Sequence, residues 1–494
     1  MDFKIKERYD FMNPLLNRTA LCIPHKEFKN QDSLIKFFKS NVDKKFIKQS
    51  DQSQKIFLKT WIDNWAEENN ISKKIGETQV CETCQVPTFA KKFCESCIQG
   101  YLVKNFPNWS SGINEIDDLI RKCQEKTIRP DYIVEWIPYE NFFEPTLKAR
   151  GGCASIYSAI WFGGRYDSWN ADKKQLERTG DRKVILKHLE NSSNPNKKWF
   201  REVKQHLDFM MKTNPVVKCY GLTREPTTQD FMLVLEPMTI NLGDFLLKNA
   251  SSLNWQQRIE IFYDITYSLM KIHVSKLIHR DLHPGNILQG RNSNIWYISD
   301  LGFCGPVIQE PGDIYVNIPY AAPEVLCRKG HTQASDIYSM GIIMWQLTTS
   351  HLPYGGIYRE DQLKPFINKI CEGLRPDSIN GIPPDFENLM KICWSKNASE
   401  RPNAEYLFAY FEDKLKKIYR NELLLPELIL PELININYST ENYVVRSHNI
   451  KRLLDQNDAN IYEENLDNVC TNNSMKFAQD EETELILIES DDED

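Results

Sequence analysis

The sequence has no apolar run long enough to cross a membrane, which takes about 18–20 residues. The nearest candidate, residues 423–434, is interrupted by Pro426, Glu427, Pro431 and Glu432. The chain also begins with a charged segment and lacks, at that place, the apolar core of a secretory signal. These absences argue against a membrane-spanning or secreted protein, and we expect no membrane partner.

The sequence has little sign of a disulfide framework and no excess of positive charge. Its 13 cysteines are an odd number and most stand alone, which fits free thiols in a reducing compartment. The net charge of −7 gives no indication of nucleic-acid binding. We therefore expect an intracellular protein, in the cytoplasm with the nucleus left open, and no nucleic-acid partner.

The chain has 494 residues, too many for one hydrophobic core, and its composition divides it into five parts. Residues 1–75 have apolar side chains at helical spacing, which predicts a helical region. We then place a four-cysteine unit at 76–105, a polar connector at 106–142, and a domain at 143–412 that begins with strands and ends with helices. A tail at 421–494 is rich in acidic residues and poor in aromatics, which predicts disorder.

The segment 279–286 carries the most information about chemistry. Asp281 follows His-Arg and precedes Asn286 by five residues, which is the spacing of a phosphoryl-transfer catalytic loop. There a carboxylate accepts the proton of the attacking hydroxyl, and an amide oxygen holds Mg²⁺ on the phosphates. Asp300, in Asp300-Leu301-Gly302, fits the second Mg²⁺ ligand, with Leu in place of the usual Phe.

Other charged residues follow in the expected order. Lys187 ends a strand-like run and is predicted to hold the α- and β-phosphates of ATP, with Glu202 on the next helix as its ion-pair partner. Further along, Glu324 of Ala322-Pro323-Glu324 is predicted to pair with Arg401. One such motif arises easily by chance, but six in this order and at these intervals argue against an unrelated fold.

With these motifs, the chain resembles protein kinases, and in detail the tyrosine-kinase-like kinases that are expanded in mycorrhizal fungi. The closer resemblance lies in residues 105–112, 135–139, 159–161, 279–286 and 298–302. It implies an α+β, two-lobed protein kinase fold, with a small β-rich N-lobe and a larger helical C-lobe. It also implies ATP and Mg²⁺ in the cleft, and transfer of the γ-phosphoryl to protein substrates.

The glycine-rich loop that should cover the phosphates departs from the family's pattern. Ala149 and Ala154 replace its outer glycines, and Ile185 stands where an alanine usually faces the adenine. The predicted nucleotide contacts are Ala149, Arg150, Gly151, Gly152, Cys153, Ala154, Ser155, Ile156, Tyr157, Ile185, Lys187, Glu236 and Met238. The departures favour an alternative interpretation, a pseudokinase that serves as a scaffold, whereas the complete set of charged residues favours an active kinase.

The residues that distinguish serine/threonine from tyrosine kinases are ambiguous. His283 stands where serine/threonine kinases usually have lysine, and Ile318 replaces a threonine near the end of the activation segment. Tyrosine-kinase markers are also absent, so we predict Ser/Thr specificity and leave tyrosine open. Residues 303–323 contain no Ser or Thr, and we expect that this segment needs no phosphate, with Tyr315 as the alternative acceptor.

Cys81, Cys84, Cys94 and Cys97 form two Cys-x2-Cys pairs separated by nine residues. Two such knuckles, holding four thiolates tetrahedrally, are the usual arrangement of a structural Zn²⁺ site. A unit this small has little core, so that the metal would supply most of its folding free energy. We predict a zinc-ribbon-like unit with a structural or protein-binding role, and disulfides or an inert cluster remain the alternative.

The tail contains one aliphatic run, Leu485, Ile486, Leu487 and Ile488, which acidic residues follow. It resembles a SUMO-interacting motif, in which a short strand is added to the edge of a sheet. A solvated acidic tail without such a role is the simpler alternative.

Overall fold

The computed structural model describes residues 79–88, 94–127, 129–150, 154–193, 198–213, 216–249, 253–291, 294–301, 305–306, 315–356, 362–377, 381–419, 422–423 and 447–449. The predicted helical region at 1–75, the loop tip at 151–153 and the aliphatic run at 485–488 lie outside these residues and stay predictions.

The cysteine unit begins with a short antiparallel hairpin, in which strand β1 (Gln79–Val80) pairs with strand β2 (Pro87–Thr88). Helix α1 (Glu95–Asn105) follows it. Ile98 and Leu102 of α1 are buried in a small apolar cluster with Ile133 and Leu176. The unit is therefore docked on residues further along the chain.

The segment predicted as a polar connector, 106–142, has regular secondary structure of its own. It contains helix α2 (Asn114–Lys126) and strand β3 (Glu135–Trp136). The apolar residues of α2 recur at helical spacing and are buried in the main core: Ile116, Leu119, Ile120 and Cys123. Asp117 accepts hydrogen bonds from both hydroxyls of Ser110 and Ser111, at 2.6 and 2.5 Å, which fixes the start of the helix.

The N-lobe is built on a six-stranded sheet. Its elements, with one helix and one inserted hairpin, are β4 (Phe142–Arg150), β5 (Ala154–Trp161), β6 (Tyr166–Asn170), β7 (Gln175–Arg178), β8 (Arg182–Leu189), α3 (Lys198–Thr213), β9 (Cys219–Arg224) and β10 (Phe231–Leu235). The strand order is β3-β9-β10-β8-β5-β4, and β6 and β7 pair with each other. All neighbours are antiparallel except β3 and β9.

A glycine permits the parallel contact between β3 and β9. Gly221 has φ +156°, and a Cβ built there would lie 2.0 Å from the carbonyl oxygen of Glu135. No other residue allows the two backbones to approach this closely. The sheet therefore extends back to Glu135, before the predicted start of the domain.

The C-lobe is mostly helical. Its helices are α4 (Leu242–Asn249), α5 (Trp255–Val274), α6 (Pro323–Leu326), α7 (Gln333–Thr349), α8 (Leu363–Glu372), α9 (Pro384–Cys393) and α10 (Ala404–Tyr419). Phe262 of α5 packs on Phe386 and Phe411, which ties α5 to α9 and α10. The two-lobed kinase fold predicted from the sequence is confirmed.

Short strands of the C-lobe lie around the catalytic loop. They are β11 (Met238–Asn241), β12 (Leu277–Ile278), β13 (Ile287–Gly290), β14 (Trp296–Ile298), β15 (Gly305–Pro306), β16 (Tyr315–Asn317) and β17 (Ser447–Asn449). β13 pairs with β11 and β14, and β12 pairs with β15. None of the helices in the described ranges combines the length and apolarity needed to cross a membrane.

The prediction of disorder for 421–494 is wrong at β17, which pairs antiparallel with β16 of the activation segment. An exposed strand edge offers unpaired backbone N–H and C=O groups to any extended segment that reaches it. Composition does not encode such a contact, because backbone groups make it.

Candidate active site

The predicted site begins with an ion-pair network between the two lobes. Lys187 Nζ lies 2.7 Å from Glu202 Oε1 and 2.9 Å from Asp300 Oδ1. Burial by itself would lower the pKa of the Lys187 ammonium, but the carboxylates of Asp300 and Glu202 raise it above its usual value. The lysine is therefore charged, and it joins β8, α3 and the loop that follows β14.

Side-chain alternation on β8 explains why Lys187 faces the cleft. Val184 and Leu186 are fully buried against Trp161 and Tyr220 on the outer face of the sheet. Because successive side chains of a strand point to opposite faces, Ile185 and Lys187 lie on the other face. Leu301 is also buried in the main core, so it fills the apolar position predicted for it.

The catalytic loop is fixed by a buried carboxylate at the start of α7. Asp336 accepts hydrogen bonds from the backbone N–H groups of His279 and Arg280, at 2.8 and 2.9 Å, and from His273 Nε2 at 2.8 Å. Although burial opposes it, these bonds lower the pKa of Asp336. Arg280 has φ +74°, a left-handed conformation that the surrounding contacts must maintain.

Asp281 is buried, and two neighbouring side chains lie close to its carboxylate. Its Oδ2 lies 3.3 Å from Asn286 Nδ2 and 3.5 Å from His283 Nε2. His283 Nδ1 accepts the N–H of Gly285, which leaves the ring proton on Nε2, toward Asp281. A Cβ on Gly285 would lie 2.8 Å from the His283 ring, so a larger residue there would displace the ring. Among the described residues, none donates to Oδ1 of Asp281.

A hairpin brings the two predicted magnesium ligands together. Ile287 of β13 pairs with Ile298 of β14, and one residue further the N–H of Ser299 donates to the carbonyl of Asn286 at 2.8 Å. Asp300, the next residue in the chain after Ser299, therefore lies close to Asn286. The Asn286 amide nitrogen donates to Asp281, so the amide oxygen of Asn286 is the atom left to bind a cation. This oxygen and the carboxylate of Asp300 are the kind of ligands that Mg²⁺ prefers.

The predicted nucleotide residues divide between two faces of the N-lobe sheet. Ile156 pairs with Lys187 and shares its face, together with Ile185. Ser155 instead donates to Glu190 at 2.8 Å, and Tyr157 packs on the outer cluster with its ring against His188. The structure thus separates the side chains of Ser155 and Tyr157 from those of Ile156, Ile185 and Lys187.

The replacements in the glycine-rich loop cause no backbone strain at the described positions. Ala149 and Ala154 lie in β4 and β5, and neither is among the residues with positive φ. Both are buried, at 3% and 9% exposure. Because alanine adopts extended backbone freely, these two methyl groups are compatible with the hairpin. Arg150 ends β4 and is exposed.

The remaining predicted residues lie at the lobe junction and at the end of the activation segment. The N–H of Glu236 donates to the carbonyl of Lys218 at 2.8 Å, and Met238 opens β11, so both lie between the sheet and the C-lobe. Arg401 binds both oxygens of Glu324, at 2.6 and 2.8 Å, as predicted. Tyr320 is buried and bonds Gln346 through its hydroxyl, so it is a packing residue.

Comparison with known families agrees with this geometry. The model of the family described as protein tyrosine and serine/threonine kinase matches residues 150–411. The chain belongs to this kinase family. The match covers the sheet from the end of β4 and nearly all of the C-lobe, and it leaves the cysteine unit and α2 outside.

Three curated relatives of this kinase are named as serine/threonine kinases. It is 29% identical over 302 residues to probable serine/threonine-protein kinase roco7 of Dictyostelium discoideum, covering 58% of this chain and 11% of that protein. It is 27% identical over 280 residues to serine/threonine-protein kinase STY17 of Arabidopsis thaliana, covering 51% and 46%. With probable serine/threonine-protein kinase drkD of D. discoideum, identity is 23% over 306 residues, covering 60% and 22%. The chain thus spans less than half the length of each.

Sequence reasoning missed the ion pairs that attach the segment before the kinase domain to the N-lobe. Asp131 lies 2.9 Å from Lys218 Nζ and 3.4 Å from Arg165. Although burial opposes it, Lys218 and Arg129 hold the pKa of Asp131 well below its usual value. Glu135 on β3 binds Arg178 of the inserted hairpin at 2.5 Å. No local spacing signals these pairs, because the partners are far apart in the chain.

The position of Ile185 gives a test of the crowding predicted from the sequence. Ile185 is half-buried on the Lys187 face, and its neighbours across the strands are Ser158 and Leu235. We expect Ile185→Ala to keep or tighten ATP binding, measured by calorimetry, because it widens the adenine side of the cleft. The loss of packing costs about 2–4 kcal/mol at a fully buried site and less here. Weaker ATP binding at an unchanged melting temperature would contradict the crowding.

The four paired cysteines converge as predicted. Their sulfurs all lie within 4.8 Å of one another, with Cys81 Sγ 3.6 Å from Cys97 Sγ and Cys84 Sγ 3.5 Å from Cys94 Sγ. Four thiolates around Zn²⁺ at about 2.3 Å stand about 3.8 Å apart, so the cluster fits this ion. A disulfide needs about 2.05 Å, and none of the four is bonded.

Proposed function

We propose that this protein is an active kinase that transfers the γ-phosphoryl of ATP to serine or threonine hydroxyls of protein substrates, inside the cell. The observation that carries the proposal is the contact of Lys187 with both Glu202 and Asp300. In kinases the ion pair between this lysine and the glutamate of the helix must be in place for activity, and so must the metal-binding aspartate, whose position here is next to the lysine. The relatives named as serine/threonine kinases support the choice of hydroxyl.

Each residue would do one part of the work. Lys187, held by Glu202, orients the α- and β-phosphates. Asp281 orients the substrate hydroxyl and accepts its proton as the oxygen forms a bond to the γ-phosphorus and the bond to ADP breaks. Asn286 and Asp300 would hold Mg²⁺, which supplies neutralisation of the charge on the phosphates. His283, with its Nε2–H toward Asp281, helps to keep that carboxylate oriented.

The test is phosphoryl transfer from labelled ATP by the purified full chain, with Lys187→Met as the comparison. We expect Lys187→Met to lower kcat by about 10²–10³-fold, because one aligned cationic donor to the phosphates is lost. Thermal melting checks that the variant is folded. Phosphoamino-acid analysis of the product separates Ser/Thr from Tyr.

A scaffold without catalysis is the competing function, and the same assay decides between them. Ala149, Ala154 and Ile185 motivate it. Binding of ATP without transfer, under conditions where the chain is folded and Mg²⁺ is present, would favour the scaffold. Transfer that is equal in the parent chain and in Lys187→Met would mean that another enzyme in the preparation is responsible.

We further propose that the kinase is of the tyrosine-kinase-like type, similar to the family expanded in mycorrhizal fungi. The support is the set of segments 105–112 and 135–139 ahead of the domain. Ser110 and Ser111 of the first segment bind Asp117 of α2, and Glu135 of the second lies in β3. Both segments thus stabilise the structured part of the chain that precedes the region matched by the kinase family model.

We propose that Cys81, Cys84, Cys94 and Cys97 hold one structural Zn²⁺, in a unit that serves the fold or binds a protein. In the chain, α1 is anchored on the inserted hairpin, with Tyr101 edge-on to Trp169 at 5.9 Å between ring centroids. The apolar cluster under α1 is separate from the main core. Loss of the metal should therefore loosen this unit and leave the kinase core folded.

The prediction is that purified protein contains about one zinc per chain, measured by elemental analysis. Replacing Cys81 and Cys84 by Ser should release it and expose 79–105 to limited proteolysis, because the unit loses most of its folding free energy. Cys123→Ser, at a buried thiol outside the cluster, is the control and should keep the metal. Metal-free protein in which 79–105 resists protease would rule out the site.

A further inference from the structure

Two cysteines outside the kinase machinery lie side by side in the C-lobe. Cys327 Sγ is 3.1 Å from Cys371 Sγ. Cys327 directly follows α6, and Cys371 is in α8, 44 residues further along the chain. Cys371 Sγ also lies 3.7 Å from the carbonyl of Pro323, so α6 and α8 are in contact around the pair.

The surroundings of this pair differ from those of the other described thiols outside the cysteine unit. Cys327 is exposed and Cys371 is half-buried, whereas Cys123, Cys219 and Cys393 are buried. A solute can therefore reach Cys327, and its neighbour is close enough to react. Closing the gap to the disulfide length of about 2.05 Å takes a shift of about 1 Å.

We propose that Cys327 and Cys371 form a reversible oxidation site, in which a peroxide converts the two thiols to a disulfide between α6 and α8. In the first step the Cys327 thiolate attacks a peroxide oxygen, the O–O bond breaks, and Cys327 becomes a sulfenic acid as the peroxide is reduced to water or an alcohol. In the second step the Cys371 sulfur attacks Cys327 sulfur and the hydroxyl leaves as water. A thiol reductant reverses the change by exchange.

Exposure sets the order of the two steps. The exposed Cys327 meets the peroxide first, and Cys371 acts second. Burial, followed by the hydrogen bond with Cys327, raises the pKa of the Cys371 thiol to about 12. Cys371 thus stays protonated until the sulfenic acid forms beside it, and its proton leaves with the hydroxyl as water.

The disulfide would act on the end of the activation segment. α6 carries Glu324, whose carboxylate is bound by Arg401, and the segment before α6 contains Tyr320 against α7. A bond from Cys327 to α8 adds a covalent tie to this contact and closes a loop through residues 327–371. Oxidation is therefore expected to stabilise this part of the C-lobe against local opening.

The experiment treats the reduced full chain with a small excess of hydrogen peroxide, blocks remaining thiols with iodoacetamide, and maps disulfides by mass spectrometry. The tryptic peptide that ends at Arg328 also contains Cys304, so chymotrypsin is added to cut between them. We expect a linked pair of peptides, one containing Cys327 and the other Cys371, two hydrogens lighter than their sum, which dithiothreitol separates. The melting temperature should rise by about 5 °C on oxidation and return on reduction.

Cys327→Ser and Cys371→Ser are the matched variants, and melting of the reduced proteins checks their folding. Each should abolish both the linked peptides and the temperature shift, while Cys123→Ser should keep both. The proposal is overturned if Cys327 and Cys371 both remain open to iodoacetamide in folded, peroxide-treated protein, or if their only disulfides join different chains. The readouts do not depend on kinase activity.

Discussion

Asp281→Asn should lower kcat for phosphoryl transfer by about 10²–10⁴-fold, the usual contribution of a positioned general base. The amide has nearly the shape of the carboxylate, but it cannot accept the proton of the substrate hydroxyl. Binding of ATP should stay close to that of the parent chain, because Lys187 and its partners, not Asp281, would hold the nucleotide. Labelled-ATP transfer measures the first effect and calorimetric titration the second.

The surroundings of Asp281 make this a clean substitution. Oδ2 accepts from Asn286 and faces His283 Nε2, and the new amide can keep its oxygen on that side. The variant should therefore melt within about 1–2 °C of the parent. A matched control is Asp385→Asn, whose carboxylate is half exposed on the C-lobe surface and should leave transfer unchanged. Full activity in folded Asp281→Asn would remove the role assigned to Asp281.

Arg401→Ala should strongly destabilise the C-lobe. The side chain of Arg401 has no exposed surface, and it binds Glu324 through two nitrogens as well as the carbonyls of Ala334 and Ser395, each at 2.9 Å. Its removal leaves the Glu324 carboxylate without its cation and two carbonyls without donors. Breaking such a buried pair costs about 3–5 kcal/mol, which corresponds to a fall of about 10 °C in melting temperature.

Thermal and urea unfolding of Arg401→Ala measure this loss. Lys417→Ala is the matched control, because it breaks an exposed pair with Asp413 on α10, and such pairs contribute about 0.3–0.5 kcal/mol. Arg401→Lys should fall between the two, since one ammonium cannot reproduce the bidentate contact. A loss of unfolding free energy below about 1 kcal/mol for Arg401→Ala would show that the Arg401–Glu324 pair contributes less to stability than its burial implies.

The chemistry of the cleft was predicted from short stretches of sequence. Asp281, Asn286, Glu202 and Lys187 were each identified from local spacing, because the catalytic loop and the strand before α3 are built from neighbouring residues. The two-lobed fold was implied by the resemblance to kinases that these motifs carry. The orientation of side chains was harder to predict. The glycine-rich-loop motif is a run of consecutive residues, but alternate side chains of a strand point to opposite faces, so Ser155 and Tyr157 lie on the face away from Lys187.

Composition was a weaker guide than residue spacing in two segments. The segment 106–142 is polar on average, yet the spacing of Ile116, Leu119, Ile120 and Cys123 marks a buried helix face, and this pattern was available in the sequence. The pairing of 447–449 with the activation segment has no such pattern, because its contacts are made by the backbone. Asp131 was also missed, since its partners Lys218 and Arg165 come from distant strands.

The sequence by itself determined which chemical groups are present and their order along the chain: the base, the lysine, the magnesium ligands and the four paired cysteines. Tertiary structure decided the contacts that no motif indicates. Lys187 reaches Asp300 across 113 residues and Cys327 reaches Cys371 across 44. Local spacing determines contacts within a turn or a strand pair, whereas contacts across such separations depend on how the sheet, α3 and the C-lobe helices pack their apolar faces together.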